Sequence, residues 1–302
     1  KVHRSTIYRE IKRGTVEQLD SNLKKHTKYF AETGQIVYEK NRINSRPPLK
    51  LLNAYDFVSY ADNLMLKHLW SPNMVCGRAK LEGIFSKMVC AKTLYNYIDQ
   101  GLLKTKNIDL ANRVSRKTKQ IRVRNNRKVL GKSIEMRDIT REEFGHWEMD
   151  TVYSGKKKST VALLVLTERK TRNENIIMVP DRRAETTVQA INALERKLGA
   201  EKFGIIYKSI TVDNGSEFAL ADQLEQSCIT GDKRTKVYYC HPYSSWERGS
   251  NENVNGMIRR RHPKGTDFSK VTAEEIAATE NWINSYPRKI FGYKSAGTMF
   301  RE

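Results

Sequence analysis

Three apolar segments in a row, HWEMDTVYSG (146–155), STVALLVLT (159–167) and NENIIMVPD (173–181), constrain this chain more than any other feature. Their composition and flanking residues predict three successive strands joined by turns. AETTVQAINALERKLG (184–199) then reads as a helix, with Val188, Ile191, Leu194 and Leu198 at helical spacing and Gly199 as its stop. A strand GIIYKSITVD (204–213), a helix through 217–226, a short strand KVYYC (236–240) and a long helix from Ser244 to about Arg260 follow. TAEE (272–275) is a capping box that opens a last helix. That order implies one mixed sheet with helices packed on it, an α/β core over residues 141–302.

Charge separates this core from what precedes it. The chain of 302 residues carries a net charge of +21. Residues 1–140 hold 29 Lys+Arg against 12 Asp+Glu, and residues 141–302 hold 26 against 22, so +17 of the excess sits in the first half and +4 in the second. A basic half joined to a near-neutral half predicts a polyanion-binding module attached to a different activity, with nucleic acid as the polyanion. The longest apolar run, VALLVL (161–166), is far short of the roughly 20 residues that span a bilayer. No signal-peptide pattern opens the chain, and its start at Lys1 without Met suggests a missing N-terminal piece. Cys76, Cys90, Cys228 and Cys240 form no CxxC pair, so reduced, partly buried thiols are expected, in keeping with the cytoplasm.

Within the basic half, HRSTIYREIKRG (3–14) reads as a short helix with Ser5 as N-cap, Ile7 and Ile11 on one face and Gly14 as its stop. Its other face carries Arg4, Thr6, Arg9, Lys12 and Arg13, the make-up of a helix that enters a major groove. Residues 1–50 are therefore read as the end of a first helix-turn-helix and a connector. SPNMVCGRAKLEG (71–83) and KMVCAKTLYNYIDQG (87–101) read as two helices across a tight turn, a second helix-turn-helix within 51–103. Val89, Leu94 and Ile98 are expected to face inward, and Lys87, Lys92, Thr93, Tyr95 and Asn96 outward onto DNA. Residues 104–132 hold 11 Lys+Arg and one acid, Asp109; the arm, with Arg116, Lys117, Arg122 and Arg124, is read as part of a basic DNA-binding linker over 104–140.

Three carboxylates stand out in the core. Asp213 ends a strand within TVDNGSEFA, where Asp-Asn-Gly also reads as a plain turn. Asp150 lies in HWEMD and competes with Glu148, which shares its strand face. Glu247 lies in HPYSSWERGSNENVNG and doubles as the capping-box partner of Ser244. Two strand aspartates and a helix glutamate are a donor set for two divalent cations beside a phosphodiester. Asn251 and Asn255, four and eight residues beyond Glu247, extend a polar stripe that a cap does not require. His146 and His241 flank the acids and are read as structural.

HWEMD, TVDNGSEF and HPYSSWERGSNENVNGMIRR resemble the three blocks of DDE transposases of the insertion-sequence-thirty family. The 33 residues between Asp213 and Glu247 match that family's acidic spacing and favour Glu247 over Glu252 or Glu217. WSPNMVCGRAKLEG…KTLYNYI (70–98) is similar to the family's second helix-turn-helix, and RSTIYREIKRG (4–14) to the end of its first. The resemblance implies a helix-turn-helix region followed by an RNase-H-like catalytic core, with Asp150, Asp213 and Glu247 as catalytic, metal-binding acids. It also implies Mg²⁺ or Mn²⁺, two ions per site, with terminal inverted repeats and target DNA as double-stranded partners. A homodimer or higher oligomer and a bacterial cytoplasmic, nucleoid-associated setting are further expectations. Arg248, Arg259, Arg260 and Arg261 are expected to hold DNA phosphates near the acids. A transposase-derived DNA-binding regulator with an inactive core is the alternative.

Overall fold

The computed structural model describes residues 2–45, 50–110, 130–137, 142–155, 158–242 and 244–302. Arg116, Lys117, Arg122 and Arg124 lie outside them. The chain divides into two units, Lys1–Tyr55 and Asp56–Glu302.

In the first unit, helix α1 (Arg4–Gly14) leads into a hairpin of β1 (Thr15–Leu19) and β2 (Lys25–Tyr29), then helix α2 (Ala31–Ser45). The segment read as a connector is thus folded. Both strands are almost wholly exposed and lack apolar alternation, so no periodicity announced them. Asp20 closes the hairpin by accepting from the amides of Asn22 and Lys24, both at 2.8 Å. His3, not Ser5, caps α1: its ring nitrogen accepts from the Ser5 amide. Ile7 and Ile11 are about half exposed.

The second unit opens with α3 (Tyr55–Lys67), α4 (Pro72–Glu82) and α5 (Ala91–Asp99). The start and stop signals of α4 act as read: Ser71 accepts from the Met74 amide, Pro72 is the first helical residue and Gly83 ends the helix at φ 65°. Helix α5 is shorter than expected, so Lys87 and Val89 sit in the loop before it. Val89 still packs inward with Leu94, Tyr97 and Ile98. Asp62 on α3 accepts from the Lys104 and Thr105 amides and the Thr105 hydroxyl, so the linker is anchored where it begins.

The core follows as β3 (His146–Tyr153), β4 (Ala162–Glu168), β5 (Glu174–Val179), α6 (Ala184–Leu198), α7 (Ala200–Ile206), β6 (Ser209–Val212), α8 (Ala221–Glu225), β7 (Lys236–Tyr239), α9 (Gly249–Arg261), α10 (Ala273–Ser285) and α11 (Ala296–Arg301). The sheet order is β5-β4-β3-β6-β7, antiparallel from β5 to β3 and parallel from β3 to β7. Every residue of β4 is buried. Leu164 and Leu166 face a core with Val188 and Ile191 of α6, while Leu163 and Val165 face Val254, Met257 and Ile258 of α9 and Ile283 of α10. A strand covered on both faces has to be apolar throughout, which explains VALLVL.

Two expected elements differ. GIIYKSITVD splits into the end of α7 and a four-residue strand, with Ile205 exposed on the helix. The helix expected over 217–226 is a 3-10 turn (Ser216–Phe218) followed by α8. Short apolar runs carry too little periodicity to separate helix from strand.

Candidate active site

Strands β3 and β6 run parallel, with His146 opposite Ser209, Trp147 opposite Ile210 and Glu148 opposite Thr211. Two residues further along each chain are Asp150 and Asp213, so the register delivers the two aspartates side by side at the carboxyl end of β6. Helix α9 then lies along β3. Asn251 brings its amide to Glu148 at 3.4 Å, Asn255 donates to Asp150 at 2.8 Å, and Arg259 donates to the Tyr153 carbonyl at 2.8 Å. Four helical residues rise about 6 Å and two strand residues about 6.6 Å, so positions 251 and 255 keep pace with 148 and 150, while the longer Arg259 side chain reaches a third residue on to Tyr153. The polar stripe on α9 has this purpose, and it distinguishes the two candidate acids of β3. Asp150 is partly open, whereas Glu148 is fully buried with Arg169 at 3.4 Å.

Arg248 lies between the aspartates. Its Nη2 donates to Asp213 Oδ2 at 3.0 Å, and its Nη1 is 3.5 Å from Asp150 Oδ1 and donates to the Met149 carbonyl at 3.1 Å. The side chain is only 12% exposed, which corrects the expectation that it reaches out to DNA phosphates: two carboxylates and a carbonyl already occupy it. Burial alone would lower the pKa of this guanidinium, but Asp150 and Asp213 outweigh it and hold the pKa above its ordinary value. Burial pushes the Asp213 carboxyl up; Arg248 opposes this and Asp150 adds to it.

The turn after β6 is built for proximity. Asn214 donates to the Cys240 carbonyl at 2.7 Å and ties the end of β6 to that of β7. Gly215 has φ −72°, so positive φ is not its reason. A Cβ there would stand 2.7 Å from Glu217 Oε2 and 2.8 Å from Asp213 Oδ1. A side chain there would push one of those carboxylates from its present partners. Glu217 accepts from Thr151 and from Arg182, both at 2.8 Å, and Arg182 lies over the Tyr153 ring at 4.5 Å. Sequence reading set Glu217 aside in favour of Glu247 and gave Arg182 no role, because Arg182 belongs to no periodic or spaced pattern.

Glu247 is placed differently from the aspartates. It sits on a 3-10 turn (Ser245–Arg248) ahead of α9, so the single long helix expected from Ser244 is two pieces. The expected capping box is absent, since Ser244 makes no side-chain cap. Glu247 instead accepts from the His241 amide at 2.9 Å and pairs with His241 Nδ1 at 2.7 Å. The hydrogen bond and charge of Glu247 raise the pKa of His241. His241 is thus a partner of Glu247, where sequence reading made it merely structural. Among the described residues, no group of three His, Cys, Asp or Glu side chains is close enough to hold one metal ion.

The expected DNA contacts divide. Arg4, Thr6, Arg9, Lys12, Lys87 and Lys92 are exposed, and Thr93 is half-buried. Arg13 is turned onto Glu10 and the Tyr38 ring. Asn96 is exposed as expected, while Tyr95 is half-buried, and both line a cleft of about 660 Å³ with Trp70, Tyr286 and Arg260. Arg260 lies over the Tyr286 ring at 5.8 Å and Arg261 over Trp282 at 5.8 Å. Arg259 is likewise held in place, by the Tyr153 carbonyl and the Phe268 ring. Cys76, Cys90, Cys228 and Cys240 are all free thiols, of which Cys90 and Cys228 are exposed rather than partly buried. No helix among the described residues is long and apolar enough to cross a membrane.

The integrase core domain family matches residues 140–245, which hold the whole sheet and both aspartates and place the chain among the polynucleotidyl transferases of that core. A probable transposase for insertion-like sequence element IS1161 from Streptococcus salivarius is 35% identical over 307 residues, 99% of this chain and 85% of the relative. The transposase for insertion sequence element IS4351 from Bacteroides fragilis is 32% identical over 311 residues, 100% of this chain and 87% of the relative. Transposase InsI for insertion sequence element IS30A from Escherichia coli (strain K12) is 39% identical over 155 residues, 51% of this chain and 37% of the relative. The chain belongs to the insertion-sequence-thirty family of DDE transposases.

Proposed function

We propose that Asp150, Asp213 and Glu247 are the catalytic acids of this transposase, and that they act on the terminal inverted repeats of an insertion element. The observation that carries this reading is the aspartate pair. Adjacent parallel strands bring two carboxylates onto one cation, the guanidinium of Arg248, at 3.0 and 3.5 Å. Hard carboxylate oxygens converging on a single positive charge fit Mg²⁺ or Mn²⁺, which keep several waters and favour phosphate oxygens as further ligands. When bound, one or two such ions supply charge for an attacking oxygen and a leaving oxygen. Asp150 and Asp213 would hold them, with Glu247 recruited from His241.

The chain's own groups supply the remaining functions. Asn255 fixes one oxygen of Asp150, and the Gly215 amide fixes one oxygen of Asp213 at 2.9 Å, so each carboxylate is oriented with its other oxygen turned to the shared cation. The reaction is cleavage of a phosphodiester by water, leaving a 3′-hydroxyl, followed by in-line attack of that hydroxyl on a second phosphodiester. Helices α4 and α5 act as a helix-turn-helix that docks on element DNA through Lys87, Lys92 and Thr93. The exposed residues of α1 make a second DNA contact, and assembly on paired ends is as a dimer or larger.

The test uses a pre-cleaved, labelled inverted-repeat end and plasmid DNA, with Mg²⁺ or EDTA. Metal-dependent joined product from the wild type, absent from Asp213→Asn while DNA binding is kept, is the expected result. DNA binding without cleavage or joining by the wild type would instead favour a regulator with an inactive core.

A further inference from the structure

Helix α9 begins one residue after Arg248 and has no side-chain cap. Its amino-terminal end opens on a cavity of about 290 Å³, lined by Gly249, Ser250, Asn253, Arg172 and Arg288 among others. Ser250 is 6% exposed, and its hydroxyl has no partner among the described residues. Arg288 donates one bond to the Arg172 carbonyl at 3.4 Å, while its Nε is buried and unpartnered. The Arg288 guanidinium, an unpartnered hydroxyl and the positive end of a 13-residue helix therefore meet at one recess, with Arg172 in its wall. Glu174, 1% exposed and accepting from the Thr167 hydroxyl, is the acid coupled to Arg288: burial pushes its carboxyl up and Arg288 opposes this.

We propose that this recess binds a backbone phosphate of the DNA, one turn of helix beyond Glu247, and so sets the position of the strand along α9. The proposal rests on the transposase reading for its ligand. The recess shares Asn253, Arg288 and Ile290 with the cleft of about 660 Å³ lined by Trp70, Tyr95 and Tyr286. It is open toward a larger space on that side, which suits a phosphodiester whose chain must continue rather than a free anion. Arg288 supplies the fork geometry that matches phosphate oxygens.

The experiment measures binding of a labelled duplex across a salt series by wild type, Arg288→Gln and Asn253→Asp. Because Arg288 packs near buried Glu174, the first variant can lose stability. Asn253 is exposed at the rim near the start of α9, where an acid suits the helix, so the second variant keeps the fold. The expected result is binding about tenfold weaker for Arg288→Gln, with a salt slope lower by about 0.9, the share of one phosphate. Asn253→Asp should weaken binding several-fold with an unchanged melting temperature. Wild-type affinity and slope in both variants would overturn the proposal. So would stabilisation of the wild type, but not Arg288→Gln, by inorganic phosphate alone, with duplex binding the same in all three. Strand joining by the wild type is scored in parallel. Normal joining with unshifted slopes overturns only the phosphate site, whereas shifted slopes with no joining overturn the active-site reading and keep this one.

Discussion

Replacing Arg248 by Gln removes the cation that Asp150 and Asp213 share. At an effective dielectric of about 20, contacts of 3.0 and 3.5 Å are worth about 5 kcal/mol each before desolvation. Desolvating a guanidinium that is 12% exposed offsets much of this, and the share of Asp213, which is 43% exposed, is further screened by water. Leaving two carboxylates facing each other without their cation should then cost about 3 kcal/mol, the lower end for a broken buried pair. A divalent ion that fills the same gap at about 100 times its dissociation constant returns about 2.7 kcal/mol. Urea unfolding near neutral pH, in EDTA and in excess Mg²⁺, reads both quantities. Arg248→Gln should unfold at lower urea than the wild type in EDTA, and Mg²⁺ should close most of the gap. The variant should also bind Mg²⁺ more tightly, because no internal cation competes. Equal midpoints in EDTA, or a deficit that Mg²⁺ leaves unchanged, would refute the reasoning.

Two other outcomes follow from the same geometry. Gly215→Ala keeps an allowed φ but sets a methyl group 2.7 Å from Glu217 Oε2 and 2.8 Å from Asp213 Oδ1. It should cost about 1–3 kcal/mol through overpacking and lower the strand-joining rate at least tenfold; a wild-type rate would mean that the two carboxylates need not be so close. Burial lowers the pKa of both His146 and His262, the latter bonded to Thr279 at 2.9 Å. Both are neutral in the folded chain while the unfolded chain takes up protons near pH 6.5. Their contribution to stability is therefore present above about pH 6.5 and lost as pH falls through the lower folded values. The melting temperature should drop on acidification from pH 7 toward 5, and His262→Asn should flatten part of that drop.

The strands of the core were legible because burial dictated their composition. VALLVL reads as a strand and is buried on both faces from Ala162 on, and Ser71, Pro72 and Gly83 mark both ends of α4. The hairpin at 15–29 was not legible, because exposed strands need no apolar alternation. Nor was the break at Tyr207, since the isoleucines on either side of it suit a helix end and a buried strand equally. In the site, the polar stripe read from Asn251 and Asn255 is present on α9, where both meet acids of β3, but Glu247 lies on the turn before that helix. Arg248 and His241 were misread for one reason: a charge beside an acid in sequence carries no sign of whether it faces the solvent or that acid. The register of β3 with β6 places the two aspartates, and the turn before α9 sets Arg248 between them.

The claim that matters most is that Glu247 leaves His241 to join the two aspartates around a divalent ion. Fe²⁺ with ascorbate and peroxide, bound in place of Mg²⁺, cuts peptide bonds close to the metal, and mass spectrometry locates the cuts. The account predicts cleavage near residues 150, 213 and 247, suppressed by excess Mg²⁺ and absent from Asp213→Asn. Cuts near 150 and 213 with none near 247, or cuts elsewhere that Mg²⁺ does not suppress, would contradict it.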